Sequence, residues 1–125
     1  MEIRESAEDY LERILMLNKS MGQVRAVDIA NLMNFSKPSV SIALKKLRQN
    51  GYVNIDGGGY ITLTESGLEI AERGFERHRL ISQLLMALGV DEQTAKEDAC
   101  RVEHDLSVES FEAIKEYCRK NLQIQ

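Results

Sequence analysis

The 125-residue sequence has only one proline and two cysteines, and it lacks any long hydrophobic run. No apolar stretch approaches the roughly 20 residues that a membrane-spanning helix needs, and the N-terminal segment MEIRESAEDY has no apolar signal-peptide core. These absences predict a cytoplasmic protein without a membrane partner. In a reducing compartment a disulfide between Cys100 and Cys118 is not expected, so each is predicted to be a buried thiol or a ligand.

The sequence also has no excess of positive charge, and its charges are unevenly distributed. The formal net charge is −4, which argues against a protein that coats nucleic acid through its overall charge. Residues 36–60, however, contain four cationic side chains and one acidic one, for a net charge of +3, whereas residues 1–12 have a net charge of −4. The overall balance therefore leaves open a local basic surface in the middle of the chain.

The composition, with 43% hydrophobic and 29% charged residues, is that of an ordinary soluble globular protein. Apolar residues recur mostly at helical spacing, and capping residues such as Ser36 and Ser107 mark where helices begin. The segment YVNI-DGGG-YITL places three glycines between two β-prone runs, which predicts a hairpin at residues 52–63. The predicted helices cover about residues 6–20, 26–33, 36–49, 64–88, 91–106 and 107–122.

The order of these elements indicates an architecture. A helix, a helix-turn-helix and then a glycine-tipped hairpin form a winged helix-turn-helix, and few other small folds place a two-stranded hairpin directly after three helices. We therefore predict a mainly α protein with a small β-hairpin wing. The winged helix-turn-helix is predicted at residues 1–72, and a second, all-α part is predicted at residues 73–125.

Helix 36–49 is the candidate recognition helix. Its inward stripe contains Val40, Leu44 and Leu47, and the opposite face is polar around one apolar residue, Ile42. Lysines on that face suit phosphates, short hydroxyls suit close approach to the duplex, and Ile42 suits thymine methyl groups. Solvation of an exposed helix explains the same polar residues, but the hairpin directly downstream favours DNA binding. The predicted DNA-binding residues are Arg25, Ser36, Lys37, Pro38, Ser39, Ser41, Ile42, Lys45 and Lys46.

The segment ACRVEHDLS at residues 99–107 is a candidate metal site. At helical spacing Cys100, Glu103 and His104 share one face, away from the apolar stripe that includes Val102. They are therefore not expected in the core, and a thiol is an uncommon choice for a solvated face. The simpler interpretation is that the carboxylate and the imidazole solvate the helix while the thiol packs at its edge.

Three further residues favour the metal interpretation. Asp9 and Glu12 lie one turn apart on the first helix, on the side opposite its apolar stripe, and His78 lies on the flank of the long helix. Each has a simpler explanation: a helix-capping acid, a surface charge, and a surface or satisfied core histidine. Carboxylates, imidazoles and a thiol are nevertheless a mixture that suits Mn²⁺, Fe²⁺, Co²⁺ or Zn²⁺.

Five stretches together resemble the diphtheria toxin repressor family of metal-dependent transcriptional regulators. They occur in the order found in that family and cover nearly the whole chain. The stretches are AEDYLERILML (7–17), VDIANLMNFSKPSVSIALKKL (27–47), GYITLTESG (59–67), RHRLISQLL (77–85) and ACRVEHDLS (99–107).

The resemblance implies a winged helix followed by a helical metal-binding and dimerisation domain, and a repressor that binds operator double-stranded DNA as a homodimer when loaded with Mn²⁺ or Fe²⁺. Co²⁺ and Zn²⁺ are expected to serve in vitro. An ion would then tie the DNA-binding domain to the second domain. The implied ligands are Asp9, Glu12, His78, Cys100, Glu103 and His104.

The resemblance is mixed between two branches of the family. The short length, Asp9 and Glu12 resemble the manganese transport regulators, whereas Cys100 matches the iron-responsive branch, where the manganese branch has glutamate. Ser82 and Lys96 occupy the positions of two further ligands of the iron branch, and neither can serve as one. Which metal is physiological, and whether one or two ions bind, therefore stay open.

Two alternative functions belong to other classes. One is a winged-helix regulator that responds to a small ligand or a partner protein and not to a metal. The other is a metalloenzyme that uses the C-x-x-E-H pattern as a catalytic site. The sequence has no substrate-pocket motif, so we predict a repressor without enzymatic activity and without a small organic substrate.

Overall fold

A computed structural model describes the backbone of residues 5–124 and the side chains of residues 7–124. The described residues form two compact units, and the boundary between them falls between Glu72 and Arg73. No helix in this part of the chain is long and apolar enough to cross a membrane. The elements are α1 (Glu5–Met21), α2 (Ala26–Met33), α3 (Lys37–Gln49), β1 (Val53–Ile55), β2 (Ile61–Leu63), α4 (Glu65–Ala87), α5 (Glu92–Val102), α6 (Val108–Tyr117) and a π-helical segment (Cys118–Leu122).

The first unit is a three-helix arrangement closed by the hairpin. Helix α2 packs against α1 and α3, while β1 contacts α3 and β2 contacts α1. Each element supplies its apolar stripe to one core, because burial of these side chains is the main favourable term in folding. The core residues with almost no exposed surface are Leu11, Ile14, Ile29, Val40, Leu47, Val53 and Ile61.

Local capping interactions set the start of α3. Asn34 adopts the left-handed conformation, with φ 57°, and so ends α2. Ser36 is the N-cap of α3, and its side chain accepts a hydrogen bond from the Ser39 amide at 3.3 Å. Pro38 lies in the first turn, where its missing amide hydrogen costs nothing. The helix-turn-helix is therefore largely specified by local chemistry.

The wing is a short antiparallel hairpin in which Val53, Asn54 and Ile55 pair with Leu63, Thr62 and Ile61. At its tip the Asp56 carboxylate accepts hydrogen bonds from the amides of Gly58 and Tyr60, both at 2.9 Å. Gly59 has φ +82°, a conformation that side chains disfavour. The Asp-Gly-Gly-Gly sequence therefore forms a turn that is stabilised by hydrogen bonds to the carboxylate of its first residue.

The second unit packs the later part of α4 against α6 and the π-helical segment. Its core contains Leu80, Phe111 and Cys118, with Leu84, Ile114, Leu122 and Ile124 packed around them. Burial raises the pKa of the Cys118 thiol, which keeps it protonated. Cys118 is thus a core thiol.

One predicted helix end was wrong: α5 ends at Val102, four residues before the predicted end. The sixth predicted helix ends at Leu122 as expected, but its last part, Cys118–Leu122, is π-helical. Ser107 has the extended backbone of an N-cap and accepts a hydrogen bond from the Ser110 amide at 3.0 Å. The chain must leave α5 before this cap forms. Val102, predicted in the apolar stripe, is consequently 41% exposed.

Candidate metal centre and DNA-binding surface

The first unit supplies two candidate ligands. Asp9 and Glu12 lie one turn apart on α1, as predicted, but Glu12 is only 3% exposed and Asp9 is partly buried. This burial does not fit the simpler interpretation of Glu12 as a surface charge. Helical periodicity identifies the apolar stripe of α1, and it does not show how far the flanks of that stripe are covered. A carboxylate this deeply buried must be paired or neutralised.

The second unit brings two candidate ligands into direct contact. Glu103 and His104 lie in the turn after α5, and His104 Nε2 is 3.3 Å from Glu103 Oε1. Their side chains are 1% and 5% exposed. The expectation that these residues lie outside the core was therefore wrong. It assumed a continuous helix, whereas the chain leaves the helix at Val102 and the turn places both side chains in the interior.

The spacing of Glu103 and His104 fits a divalent ion. Two adjacent ligand atoms in a tetrahedral or octahedral shell of about 2.0–2.3 Å radius are separated by about 2.8–3.8 Å. The observed 3.3 Å lies within that interval. A carboxylate oxygen and an imidazole nitrogen are also suitable donors for Mn²⁺, Fe²⁺ and Zn²⁺. The spacing of this pair is therefore compatible with two neighbouring ligands.

His78 is oriented in the way that metal-binding histidines commonly are. It lies on α4, and its Nε2 atom is 3.2 Å from the carbonyl oxygen of Lys96 on α5. Because a carbonyl only accepts, Nε2 must carry the hydrogen, and Nδ1 then carries the lone pair of the neutral ring. Cys100 lies on α5, half-buried and not in a disulfide. Four of the six predicted ligands thus belong to the second unit.

The predicted recognition face of α3 is open to solvent. Ile42, at its centre, is 59% exposed, while Val40, Leu44 and Leu47 on the opposite side are buried. A β-branched side chain this exposed is compatible with an apolar contact in the major groove. The other predicted residues on this surface are also exposed, namely Ser36, Lys37, Pro38, Ser39, Ser41, Lys45 and Lys46.

A groove of about 340 Å³ runs between α3 and the wing. Its α3 side includes Lys45 and Arg48, and its wing side includes Ile55 and Gly59. Arg48 was absent from the predicted DNA-binding residues. The available signal was its position, one turn after Lys45 on the same helix. Arg48 therefore adds a third cationic side chain to Lys45 and Lys46 on α3, at the edge of this groove.

Arg25 lies outside the recognition helix. It directly precedes α2, where its amide donates a hydrogen bond to the Asp28 carboxylate at 2.9 Å, and its side chain contacts Tyr60 of the wing. The neighbouring residue Val24 accepts a hydrogen bond from the Ile61 amide at 2.7 Å. Tyr60 was also not predicted, because nothing in the local sequence connects it to Arg25.

Two family models match the chain and together cover almost all of it. The iron dependent repressor N-terminal DNA binding domain matches residues 2–59, and the iron dependent repressor metal binding and dimerisation domain matches residues 64–121. The chain therefore belongs to the iron-dependent repressor family, the diphtheria toxin repressor family whose motifs it resembles. It is a metal-dependent, DNA-binding transcriptional regulator and not an enzyme.

Individual relatives agree with this assignment. A helix-turn-helix transcriptional regulator of Methanocaldococcus jannaschii is 41% identical over 118 residues, which are 93% of this chain and 94% of the relative. The transcriptional regulator MntR of Escherichia coli is 33% identical over 118 residues, 94% of this chain and 76% of MntR. The manganese regulator SloR superposes with a TM-score of 0.81 at 30% identity. That match covers 95% of this chain and 55% of SloR, so the chain spans about half of SloR. The predicted fold class is confirmed.

Proposed function

We propose that this repressor is activated by Mn²⁺ or Fe²⁺ in the cytoplasm, and that as a homodimer it binds operator DNA of genes for manganese or iron homeostasis. The observation that carries the proposal is the buried pair of Glu103 and His104, held at ligand spacing in the second unit. The first unit supplies the complementary part, a winged helix with an exposed cationic recognition helix.

The proposed ligands come from both units. A buried carboxylate needs a counter-charge, and a bound divalent ion supplies one. The support for each residue is its own environment: the buried Glu12, the oriented His78, the contact of Glu103 with His104, and the half-buried Cys100. The proposed set is Asp9, Glu12, His78, Cys100, Glu103 and His104.

The DNA contacts are proposed on the open face of α3. Lys45 and Lys46 are placed to contact phosphates, and Ser36, Ser39 and Ile42 lie where a helix meets the major groove. Because the centre of this face holds an isoleucine and no arginine or asparagine, direct hydrogen bonding to bases is expected to be sparse. Shape and phosphate contacts should therefore contribute most of the affinity.

Homodimerisation is proposed through the second unit. Leu88, Val108 and Tyr117 are 71%, 64% and 57% exposed there, and a partner subunit would remove this apolar surface from water. A symmetric partner that covers these residues would bring two recognition helices into one dimer, and dimeric helix-turn-helix proteins bind half-sites about one duplex turn apart. Sedimentation equilibrium at micromolar concentration should show a dimer, and a monomer both with and without metal would contradict the proposal.

The central experiment measures binding of the full chain to its own promoter DNA while Mn²⁺, Fe²⁺, Co²⁺ or Zn²⁺ is titrated. At least one ion should increase the affinity strongly, and Glu103→Gln and His104→Asn should remove that increase. Glu109→Gln, an equivalent change at an exposed site, is the matched control. If no ion changed the affinity, a regulator that responds to a small ligand or a partner protein would be the better explanation.

A further inference from the structure

Arg77 connects α4 to the turn that carries two proposed ligands. Its Nη1 atom donates hydrogen bonds to the carbonyl oxygens of Glu103, at 2.9 Å, and Leu106, at 2.8 Å. Glu103 is the C-cap of α5, and Leu106 directly precedes Ser107, the N-cap of α6. One guanidinium nitrogen therefore holds both ends of the turn in which Glu103 and His104 lie.

The guanidinium group of Arg77 is itself fixed by its surroundings. Its central carbon lies 5.0 Å from the ring centroid of Phe111, a residue of α6 that is 4% exposed. A cation over an aromatic face is attracted by the negative charge of that face. The Nε atom is also buried, without a hydrogen-bond partner among the residues that the structure describes. The side chain is thus directed at the turn and not at solvent.

The carbonyl groups at the end of α5 need hydrogen-bond donors. The last carbonyl groups of a helix have no partner within the helix, and they carry the negative end of its dipole. Arginine presents several donors in a rigid plane, whereas lysine presents one flexible ammonium group. Arg77 can therefore satisfy two carbonyls at a set spacing, and in doing so it determines the backbone path through residues 103–106.

His78, the next residue along α4, contacts α5 at a different place. Its Nε2 atom lies 3.2 Å from the carbonyl oxygen of Lys96, seven positions before the carbonyl of Glu103 that Arg77 contacts. Two consecutive residues of α4 thus hold the early part and the end of α5. The placement of the His78 ring relative to Glu103 and His104 depends on both contacts.

We propose that Arg77 is a positioning residue of the metal site. By holding the turn at residues 103–106, it presents the Glu103 carboxylate and the His104 imidazole at ligand spacing. This inference rests on the proposed function, because it requires that Glu103 and His104 are ligands.

The test compares Arg77→Lys with Arg73→Lys, the same change at an exposed position of α4. Affinity for Mn²⁺ is measured by competition titration, and the visible spectrum of the Co²⁺ form reports the number and geometry of the ligands. Arg77→Lys should lower the affinity by about 10- to 100-fold, as is typical for residues that orient ligands, and should shift the Co²⁺ bands. Arg73→Lys should change neither quantity.

Thermal unfolding of the metal-free variants separates positioning from a merely structural role. If Arg77→Lys lowered the unfolding midpoint while the affinity and the Co²⁺ spectrum of the folded protein matched the parent, the inference would be overturned. Glu103→Gln tests the ligand assignment on which the inference rests. If that variant bound ions as the parent does, the ligand assignment itself would be wrong.

Should Arg77→Lys not fold, Phe111→Leu provides a second test. It removes the ring beneath the guanidinium, and it should shift the Co²⁺ bands in the same direction. An unchanged spectrum would again overturn the inference.

Discussion

The guanidinium carbon of Arg25 lies 4.4 Å from the centroid of the Tyr60 ring, and Arg25 Nη2 donates a hydrogen bond to the Tyr60 hydroxyl at 3.0 Å. The two residues are 35 positions apart, one directly before α2 and the other next to the tip of the wing, directly before β2. A cation over an aromatic ring and an additional hydrogen bond restrict the arginine more than either contact alone. The wing therefore orients Arg25, a proposed DNA contact.

Replacing Tyr60 should weaken DNA binding through Arg25. Tyr60→Leu removes both contacts, and we expect about 5- to 30-fold lower affinity at most, since the ring contact and an exposed hydrogen bond each contribute about 0.5–1 kcal/mol. Tyr60→Phe keeps the ring contact and should have a smaller effect. Fluorescence anisotropy with operator DNA measures both variants. Equal affinity for parent and Tyr60→Leu would show that orientation of Arg25 does not matter for binding.

The lysines of the recognition helix should determine the salt dependence of DNA binding. Lys45→Ala with Lys46→Ala should weaken binding to all sequences and reduce the slope of log K against log salt by about 2, since each phosphate contact contributes about 0.9. Lys19→Ala with Lys120→Ala removes the same charge at exposed positions elsewhere and serves as the control. An unchanged slope in the α3 variant would rule out these lysines as phosphate contacts.

Gly67 allows α4 to approach the start of the wing. A Cβ atom at this position would lie 2.0 Å from the carbonyl oxygen of Tyr52 and 3.0 Å from its carbonyl carbon. Backbone atoms cannot move aside cheaply, so Gly67→Ala should lower the free energy of unfolding by about 1–3 kcal/mol or more. Gly57→Ala is the control, because a Cβ there would meet nothing within 4 Å. Urea unfolding measures both, and equal stability of the two variants would contradict this packing argument.

Asp91 should make the stability of α5 depend on pH. Hydrogen bonding to Thr94 lowers the pKa of the Asp91 carboxyl in the folded protein, and its side chain accepts from the Thr94 amide at 3.2 Å. A lowered folded-state pKa stabilises the fold above the unfolded-state pKa, and this contribution is lost as the pH falls through the folded-state pKa. Asp91→Ala should therefore be destabilising near neutral pH, and the difference from the parent should shrink in acid.

Asp91→Asn separates the charge from the cap. Asparagine caps helices about as well as aspartate does, but it does not titrate. The variant should retain the cap and lose the acid-dependent part of the stability difference. Unfolding midpoints of the metal-free chain between about pH 3 and pH 7 provide the measurement. A difference between parent and Asp91→Ala that stayed constant over this range would exclude the ionised carboxylate as its source.

Cys100 should decide which ion activates the protein best. Thiolate favours Fe²⁺, Co²⁺ and Zn²⁺ over Mn²⁺, whereas carboxylates serve Mn²⁺ equally well. Cys100→Glu should therefore strengthen activation by Mn²⁺ relative to Fe²⁺ and raise the number of bound ions per subunit. DNA binding with each ion and metal analysis of the dialysed protein measure the two effects. Cys118→Ala, which alters the core thiol, should change stability but not the ranking of metals. If Cys100→Glu kept the parent's ranking and stoichiometry, Cys100 would lie outside the coordination shell.

Elements that depend on interactions between residues close in sequence were predictable. The start of α3 follows from Ser36 and Pro38, and the hairpin follows from the Asp-Gly-Gly-Gly turn between two β-prone runs. Both depend on residues within a few positions of one another, so the information is contained in a short window. The alternation of buried and exposed residues along α3, with Leu44 buried and Ile42 exposed, follows in the same way from helical periodicity.

The candidate metal residues show where a local pattern is insufficient. The residue types at Glu12, Glu103 and His104 suggested ligands, but their predicted environment was a solvated helix face, and the structure buries them. Burial depends on which elements cover a given flank of a helix. Helical spacing gives the direction of a side chain and no information about its distant neighbours.

By itself, the sequence determined the order of the elements, the recognition helix, the wing and the residue types available to a metal, because capping, turn formation and periodicity act over short segments. Only the tertiary structure decided that α5 stops at Val102, that Glu103 and His104 meet in a buried turn, and that Arg77 holds that turn from 26 residues away. The physical reason is that a guanidinium bonded to two carbonyls requires chain segments brought together by the packing of α4 against α5 and α6. No local pattern encodes that separation.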